Sequence, residues 1–428
     1  GSPELAWGSY LGEGTISGSI QHARSLVDGN GNAFVVLSTS VQAFPAPNGY
    51  DPTINGDFDA YVAKVTADGQ LAWGTYFGGS GRDTLQAYVA DSEGNLVIAG
   101  LTESSNLPTP NGFDTTLNGT RDVYVAKFSA AGALMWATYI GGSDTEDGVR
   151  LQLDDSNNIF VSGYTYCSTD FPTPNGYLTT SQYNGGFFVV KLTPEGQMAW
   201  GTFVEGPGKG EYGYDATVLV CGSGDSFAIM PCYITESFEY DALGGHRTIS
   251  EEADIYIAKI TGSGALAWET YLGGSSDESN GYVMLVDDSG NLILAGETIS
   301  TDFPTPNGVY TTNSGDPAEN RTDVFIAKVT GAGQLAWATY LGGAGWERVN
   351  SGVLDKSGNL FIFGDTDSSD FPTPGGFDTA FDGSTNENTT GDIFVARMTS
   401  EGELSWASFL GDGTARGATS IRARADRE

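Results

Sequence analysis

A short hydrophobic segment that contains a tryptophan recurs along the whole chain. Its first copy, residues 5–12, reads Leu-Ala-Trp-Gly-Ser-Tyr-Leu-Gly. Successive copies are 63 to 69 residues apart, so that seven of the eight tryptophans occupy one repeated position. A fixed period of this kind indicates a repeat architecture. The repeated tryptophans are Trp7, Trp73, Trp136, Trp200, Trp268, Trp337 and Trp406.

Three further segments recur between one tryptophan and the next, and each has the length and the β-branched or aromatic content of a strand. In the second unit they are residues 84–91, 96–101 and 123–128. The first two are joined by residues 91–95, Asp-Ser-Glu-Gly-Asn, whose Gly and Asn supply the positive φ of a tight hairpin. The pattern therefore predicts four antiparallel strands in each unit.

Single four-stranded sheets expose two faces, so the units must stack on one another. A period of 40 to 70 residues with four strands is typical of a propeller blade, whereas the coils of an extended solenoid usually repeat after about 20 to 45 residues. We therefore predict an all-β fold, a β-propeller of four-stranded antiparallel blades in a single domain over residues 1–428. The predicted units are 5–70, 71–133, 134–197, 198–265, 266–334 and 335–403, with a partial unit at 404–428.

The number of blades is left open by the sequence. Seven tryptophan segments are present but only six sets of the other three, and residues 417–422 resemble the innermost strand of a next unit. Six blades are complete. Residues 5–12 either supply an outer strand to the last blade or belong to a seventh blade, so that the propeller has six or seven blades.

Several linked motifs recur in the same order in the repeats. They are Trp-x-Thr-Tyr-Leu-Gly-Gly-Ser, Asp-x-x-Gly-Asn, Phe-Pro-Thr-Pro and Asp-Val-Phe-Ile-Ala-Lys. Over nearly the whole chain this combination resembles the bacterial β-propeller repeat called SBBP. The resemblance implies an architecture similar to the seven-bladed propellers of secreted or surface-attached bacterial proteins. It implies no single activity, because propellers carry many unrelated functions.

Charge and composition exclude several classes of function. The 428 residues include 54 Asp and Glu against 19 Lys and Arg, a net charge of −35, which disfavours nucleic acid and anionic membranes as partners. Two histidines and three cysteines make zinc sites and Ser-His-Asp triads unlikely. No apolar run approaches the roughly 18 residues of a membrane-spanning helix. The opening Gly-Ser-Pro-Glu is either an expression scar or a trimmed mature end.

Residues that every unit repeats are predicted to be architecture. The tryptophans are expected to be core or inter-blade wedges. The Gly-Gly pair that follows them suits the passage from an outermost strand to the next innermost one. Phe-Pro-Thr-Pro is expected to be a rigid loop between the second and third strands. The basic residue on the third strand is expected to pair with an acidic neighbour such as Asp91 or Asp287. These basic residues are Lys64, Lys127, Lys191, Lys259, Lys328 and Arg397.

Acidic clusters have the oxygen-rich composition that calcium prefers. We identify Asp144, Asp147, Asp365, Asp367 and Asp370 as candidate calcium ligands. None of the clusters has EF-hand spacing, and the alternative is a set of solvated acidic loops. No other cofactor is predicted.

Residues found in one unit only are candidates for partner binding. The fourth unit lacks Phe-Pro-Thr-Pro and carries an insertion that contains His246 and Arg247. A docking surface and a degenerate blade are both consistent with this insertion. Trp346 lies outside the tryptophan register and is either an exposed aromatic anchor or a lid over an axial opening.

The chain is predicted to assemble with other copies of itself or with further domains. Strand edges at residues 5–12 and 404–428 would carry unpaired backbone groups that can template pairing with another chain. Trp406 lies in the second of these segments, and the basic tail with Arg422, Arg424 and Arg427 has a target in an acidic neighbour.

These features predict a non-enzymatic, extracellular or cell-surface propeller that acts as a structural or adhesive module of a larger bacterial assembly. The alternative is a carbohydrate-binding or carbohydrate-active propeller that uses acidic and aromatic residues on one face, with glycans as partners.

Overall fold

The computed structural model describes most of the chain. The described residues are 11, 18–166, 169–182, 185–205, 210–212, 216–234, 238–242, 245–249, 253–315, 319, 321–382 and 391–410. Only the backbone is described for residues 210–212, 231–234, 238–242, 245–249, 253 and 279–282.

Regular structure in these residues consists of 27 β-strands. In chain order they are β1 (Ile20–Val27), β2 (Ala33–Thr39), β3 (Asp59–Val65), β4 (Leu71–Phe77), β5 (Asp83–Ala90), β6 (Leu96–Thr102), β7 (Asp122–Phe128), β8 (Leu134–Ile140), β9 (Thr145–Leu153), β10 (Ile159–Tyr166), β11 (Gly185–Leu192), β12 (Met198–Val204), β13 (Gly210–Tyr212), β14 (Thr217–Val220), β15 (Ser226–Ile234), β16 (Phe238–Ala242), β17 (Gly245–Ile249), β18 (Ala253–Ile260), β19 (Leu266–Leu272), β20 (Glu278–Val286), β21 (Leu292–Thr298), β22 (Asp323–Val329), β23 (Leu335–Leu341), β24 (Glu347–Leu354), β25 (Leu360–Thr366), β26 (Asp392–Met398) and β27 (Leu404–Phe409).

The strands form a series of antiparallel sheets that confirms the predicted propeller blades. Sheets 1, 2, 3, 5 and 6 have four strands each in sequence order, namely β1–β4, β5–β8, β9–β12, β20–β23 and β24–β27. In sheet 4 two short pieces, β13 and β14, both pair with β15, which is followed by β18 and β19. The hairpin of β16 and β17 is inserted between β15 and β18. The fold is thus an all-β propeller built from four-stranded antiparallel blades.

Within the described residues, each tryptophan segment is the fourth strand, in order of pairing, of a sheet whose other strands precede it in the chain. In sheet 6 the strand Leu404–Phe409 pairs with Asp392–Met398, because a tight turn at Gly402 folds it back on the third strand of the same sheet. Residues 404–409 are therefore the outer strand of sheet 6, and the predicted unit boundaries, with a partial unit at 404–428, stay a prediction. Residues 411–428, and residues 5–12 except Leu11, lie outside the described part, and the choice between six and seven blades stays open.

The described residues group into two compact units. One contains the described residues up to Glu205 together with Gly222–Gly224 and Gly262–Ala265, and the other contains the rest. Sheets 1–3 belong to the first unit and the strands of sheets 4–6 to the second. The single domain over 1–428 stays a prediction.

Buried tryptophans, together with the half-buried Trp268, join consecutive sheets, as predicted. Trp73 packs in one core cluster with Phe34 of sheet 1 and Phe128 of sheet 2, and Trp337 packs with Ile362 of sheet 6. The indole N–H of each donates to a backbone carbonyl in the turn between the third and fourth strands of the following sheet, at 3.0–3.1 Å. The bonds run from Trp73 to Ala130, Trp136 to Pro194, Trp200 to Gly262, Trp268 to Gly331 and Trp337 to Ser400.

The Phe-Pro loop lies along the outer edge of its own sheet. In sheet 6 the N–H of Ala407 donates to the carbonyl oxygen of Pro374 at 3.1 Å, and the N–H of Phe409 donates to that of Asp378 at 3.0 Å. Equivalent pairs of bonds cap the fourth strands of sheets 1, 2, 3 and 5. The loop thereby satisfies outward-facing N–H groups that would otherwise template pairing with another chain. The prediction of an unpaired edge at the Trp406 strand is wrong for this reason.

A tyrosine on the fourth strand holds this loop in place. The hydroxyl of Tyr340 donates to the carbonyl oxygen of Ser300 at 2.9 Å and accepts the N–H of Phe303 at 3.0 Å. Tyr76 and Tyr139 make the same two kinds of bond in sheets 1 and 2. The recurring Thr-Tyr and Phe-Pro motifs are therefore two halves of one contact.

Candidate functional site

Basic residues on the third strands form ion pairs with the turns between the first and second strands, as predicted. The pairs, with their N–O distances, are Lys64–Asp28 (3.2 Å), Lys127–Asp91 (2.9 Å), Lys191–Asp154 (3.3 Å), Lys259–Asp225 (3.4 Å), Lys328–Asp287 (3.0 Å) and Arg397–Asp355 (3.9 Å). In sheet 4 Cys221 replaces the usual aspartate, and the carboxylate comes from Asp225 four residues later. The ion pair is retained in sheet 4 although the Asp-x-x-Gly-Asn motif is absent there, which indicates that these groups have a structural role.

Four of these aspartates, Asp28, Asp91, Asp287 and Asp355, are held in their ionised form. Burial alone would raise the pKa of Asp91, but hydrogen bonds from Asn95 and the neighbouring Lys127 ammonium lower it below its ordinary value. The pKa values of Asp28, Asp287 and Asp355 are lowered by the same arrangement. The hairpin turns that carry these aspartates all lie at one end of the sheets, which we call the turn end. The opposite end carries the Phe-Pro loops and the Gly-Gly connections, and we call it the loop end.

Buried carboxyl groups lie at the loop end. Asp122 begins the third strand of sheet 2, and Glu146 lies near the start of the first strand of sheet 3; both are fully buried. Burial raises the pKa of Asp122 to about 6 and that of Glu146 to about 8. Sequence reasoning missed these groups because acidic residues are mostly exposed and their burial leaves no compositional signal.

Two of the predicted calcium ligands lie beside Glu146 but serve other contacts. Asp147 forms an ion pair with Arg121 at 3.1 Å and accepts a hydrogen bond from Gln86 at 3.4 Å. The carbonyl oxygen of Asp144 accepts the N–H of Thr120 at 3.2 Å.

The other three predicted calcium ligands anchor the backbone or a neighbouring side chain. Asp370 accepts the N–H of Ala344 at 2.9 Å, and Asp367 accepts that of Trp346. Asp365 accepts the amide of Asn350 at 2.8 Å. In sheet 2 Asn106 takes the place of Asp370 and accepts the N–H of Ser80 at 2.8 Å, so this contact does not need a carboxylate.

No group of three or more His, Cys, Asp or Glu side chains that could hold a metal ion occurs within the described part of the chain. The calcium site stays a prediction.

Trp346 lies in a polar cluster that joins sheets 5 and 6. The guanidinium of Arg348 lies over its ring at 5.0 Å from the centroid, and Arg348 Nε lies 3.3 Å from Glu297 Oε1. Asp365 is the cross-strand neighbour of Arg348 and holds Asn350. We call Trp346, Arg348, Glu297, Asn350 and Asp365 the Trp346 patch.

The patch is partly open to water. The side chain of Arg348 is 46% exposed and that of Glu297 is 8% exposed. Burial raises the pKa of the Glu297 carboxyl, and the nearby Arg348 guanidinium opposes this rise. An aromatic ring, a guanidinium, an amide and carboxylates at one place can bind a polar ligand by stacking and charge-assisted hydrogen bonds.

Glu297 was missed by the sequence analysis although a signal exists. At the same place on the second strand, sheets 2 and 3 have Leu101 and Tyr164, whereas sheet 6 has Asp365, so the charge at Glu297 interrupts an apolar position and recurs in the neighbouring sheet. Its partner Arg348 is 51 residues away, and only the structure shows that they meet.

The remaining predicted partner residues are not brought to this patch by any described contact. His246 and Arg247 lie on β17 of the inserted hairpin, where only the backbone is described. Trp406 is half-buried, whereas Trp73, Trp136, Trp200 and Trp337 are buried. Arg422 and Arg424 lie outside the described residues. The search of the described residues for a helix long and apolar enough to cross a membrane found none.

Comparisons with known proteins give similarity at low identity. No protein-family model matches the chain. The chain is similar to an uncharacterized WD repeat-containing protein of Acanthamoeba polyphaga mimivirus, with 20% identity over 438 residues. That match covers 84% of this chain and 31% of the relative, so the chain spans less than a third of the relative's length.

Solved structures resemble the chain at still lower identity. One is a protein of unknown function from Dyadobacter fermentans, at 12% identity and a TM-score of 0.34, covering 85% of this chain and 94% of that one. Others are an ulvan lyase, at 12% and 0.40 with 95% and 85% covered, and a puromycin hydrolase, at 13% and 0.41 with 95% and 49% covered. At these TM-scores the similarities carry no argument about function. The fold assignment rests on the four-stranded sheets of the chain itself.

Proposed function

We propose that this protein is a non-enzymatic interaction module of the bacterial cell surface, acting as a structural or adhesive part of a larger assembly. Its partners are other copies of the same chain or further domains of a surface protein. The alternative is a propeller that binds glycans.

The Trp346 patch is the observation that carries this proposal. The recurring polar groups are used inside the molecule: the lysines pair with turn aspartates, the indole N–H groups bind turn carbonyls, and the Phe-Pro loops cap their own sheets. Arg348 and Trp346 are single-copy groups, and arginine and tryptophan are enriched at the energetic centres of protein interfaces.

Charge and sequence motifs support the assignment to the cell surface. A net charge of −35 keeps the chain in solution and discourages non-specific association. The order of the repeated motifs resembles that of the SBBP repeat, which occurs in secreted or surface-attached proteins.

The proposal is tested by sedimentation velocity over a range of concentrations. We expect the unmodified chain to self-associate and a Trp346→Ala/Arg348→Ala variant to remain monomeric. Arg82→Ala is the matched control, because Arg82 lies over the ring of Phe58 at 4.2 Å but outside the patch. A monomer at every concentration, or equal weakening by the control, would contradict a role of the patch in self-assembly.

The carbohydrate alternative has its own support in the patch. Trp346 is only partly buried and lies near the Asn350 amide and the Asp365 carboxylate, a combination that can stack on a sugar ring and bind its hydroxyls. A glycan array and a screen of polysaccharide hydrolysis separate the alternatives. Glycan binding that Trp346→Ala abolishes would replace the proposal by a lectin function, and hydrolysis would replace it by an enzyme.

A further inference from the structure

Pairs of carboxyl groups from consecutive sheets meet at the loop end. In each pair one member lies at or next to the start of a third strand, and the other at or next to the start of the following first strand. The pairs are Asp59 with Asp83 and Asp122 with Glu146 in the first unit, and Asp254 with Glu278 and Asp323 with Glu347 in the second.

In three of the four pairs, the two members pack against one glycine of the Gly-Gly connection: Gly141, Gly273 or Gly342. At Gly342 an added methyl group would overlap both Asp323 Oδ1 and Glu347 Oε2, and at Gly141 it would overlap both Asp122 and Glu146. The two carboxyl groups are thus within the roughly 4–6 Å at which like charges affect each other's protonation. The glycine is needed here because it leaves room for them.

Water is excluded from these groups. Asp323 retains 1% of its exposure and Glu347 none. Asp323 Oδ2 accepts the N–H of Ser314 at 2.8 Å, while Glu347 accepts the Thr366 hydroxyl at 2.6 Å and the N–H of Gly343 at 3.0 Å. Within the described residues, no N–H group or hydroxyl donates a hydrogen bond to three of the buried carboxyl oxygens: Asp59 Oδ1, Glu146 Oε2 and Asp323 Oδ1.

Neighbouring charged groups do not neutralise the pairs. The carboxylates of Asp114, Asp144 and Asp170 act on the Asp122–Glu146 pair, and that of Asp370 acts on Asp323. Arg121 donates to the backbone oxygen of Glu146 but pairs its charge with Asp147.

Arg321, two residues before Asp323, does not neutralise that pair either. Arg321 pairs with Glu319. Asp51 and Glu103 act on the Asp59–Asp83 pair, and the buried hydroxyls of Tyr124, Tyr139 and Tyr340 face carboxyl groups of the pairs.

Ionised carboxylates accept hydrogen bonds but cannot donate them, so two that face each other out of water require a proton or a cation. Calcium takes six to eight oxygen ligands, whereas within the described residues no group of three or more His, Cys, Asp or Glu side chains is placed to hold a metal ion. A proton needs only the two oxygens. We propose that the Asp254–Glu278 and Asp323–Glu347 pairs each hold one proton between their carboxyl groups, so that carboxyl–carboxylate hydrogen bonds join consecutive sheets and tie their cohesion to pH.

The pKa directions agree with this arrangement. Burial raises the pKa of Glu347 to about 8 and that of Asp323 to about 6, and a hydrogen bond from Glu347 limits the rise at Asp323. The glutamic acid is therefore the donor in this pair, and the pair titrates as one unit. Burial raises the pKa of Glu278 to about 8 as well.

Sheet 3 shows that a carboxyl group is required at this position. Gly186 stands near the start of its third strand, where sheet 2 has Asp122, but Glu205 stands at the place of the first connecting glycine. Glu205 is buried and accepts the N–H of Gln182 at 3.0 Å, as Asp122 accepts that of Asn118. The carboxyl group is kept although the residue that supplies it has moved.

Melting temperatures of the full chain between pH 5.5 and 9, after removal of metal ions, test the proposal. We expect the unmodified chain to lose several degrees as the pH rises. Glu347→Gln keeps a donor facing Asp323 and should match the unmodified chain at pH 5.5 but lose less at pH 9. Glu403→Gln, an exposed position with the same change of charge, should lose as much as the unmodified chain.

Infrared spectroscopy of the unmodified chain in D2O decides the matter even where a variant fails to fold. We expect a protonated-carboxyl stretching band at neutral pD that disappears at alkaline pD. Absence of this band at neutral pD, or a melting temperature independent of pH, would overturn the proposal. So would calcium retained in stoichiometric amounts together with destabilisation by a chelator, because a cation would then bridge the pairs.

Discussion

Lys127 Nζ lies 2.9 Å from Asp91 Oδ2, and the two side chains retain only 5% and 1% of their exposure to water. Lys127 Nζ also donates to the carbonyl oxygen of Pro194 in the next sheet at 3.4 Å. The ion pair therefore links a hairpin turn to its own third strand and to a neighbouring sheet.

Replacement of Lys127 by methionine should be strongly destabilising. Methionine keeps most of the aliphatic stem but leaves the buried Asp91 charge alone, which costs about 3–5 kcal/mol. Arg397→Met is the matched control, because Arg397 and Asp355 are 3.9 Å apart and 27% and 34% exposed, and exposed pairs contribute about 0–1 kcal/mol. Thermal denaturation followed by circular dichroism checks this, and equal losses in both variants would contradict it.

Trp337→Phe isolates the indole hydrogen bond. The variant keeps an aromatic ring but leaves the Ser400 carbonyl oxygen without this donor, and we expect a loss of about 1–3 kcal/mol from that bond and the smaller ring. Trp406→Phe should cost less, since Trp406 is half-buried and no bond from its indole N–H is made within the described residues. Urea unfolding curves of the two variants provide the comparison; a greater loss for Trp406→Phe would refute it.

Tyr340→Phe should loosen the Phe-Pro loop of sheet 5. Removal of the hydroxyl leaves the buried Phe303 N–H without its acceptor and the Ser300 carbonyl oxygen with the Asn313 amide at 3.2 Å as its remaining donor, which costs about 1–3 kcal/mol. Tyr88→Phe is the control, because its hydroxyl makes one exposed contact of 3.5 Å to Ser25. Limited proteolysis should cut the loop at 299–310 faster in the first variant only, and unchanged cleavage would count against a locking role of the tyrosine.

Stability should be greatest in mildly acidic solution. The lowered pKa of Asp91 means that its stabilising contribution is present above the unfolded value of about 3.9 and is lost as the pH falls through the folded value. Burial raises the pKa of Glu146 to about 8, so its contribution to stability is complete below the unfolded pKa of about 4.3. As the pH rises from there through 8, that contribution is lost at about 1.4 kcal/mol per pH unit. Calorimetry at constant ionic strength should place the highest melting temperature near pH 5, and a maximum at alkaline pH would be inconsistent with both groups.

Features that recur in every repeat could be predicted from the sequence. The spacing of the tryptophans predicted the four-stranded unit. The repeated positions of Lys127 and Asp91 predicted the ion pair, because the same residue types recur at the same spacing in each copy. The edge-capping bonds could not be predicted, since they join the backbone of Pro374 to that of Ala407 and leave no trace in residue type.

The carboxyl pairs and the Trp346 patch both depend on contacts that the linear sequence does not show. Asp323 and Glu347 look like ordinary surface acids in the sequence, and their burial is decided by the packing of one sheet on the next. The Trp346 patch needs Glu297, and a separation of 51 residues from Arg348 hides that partnership from any local pattern.

The loop that covers each outer strand has a consequence for how such a chain grows. In sheets 1, 2, 3, 5 and 6 the cap is encoded within the same repeat as the strand that it covers. A duplication or loss of one whole repeat would therefore add or remove a strand together with its protection, and the gene could change its number of repeats without creating an adhesive, aggregation-prone edge.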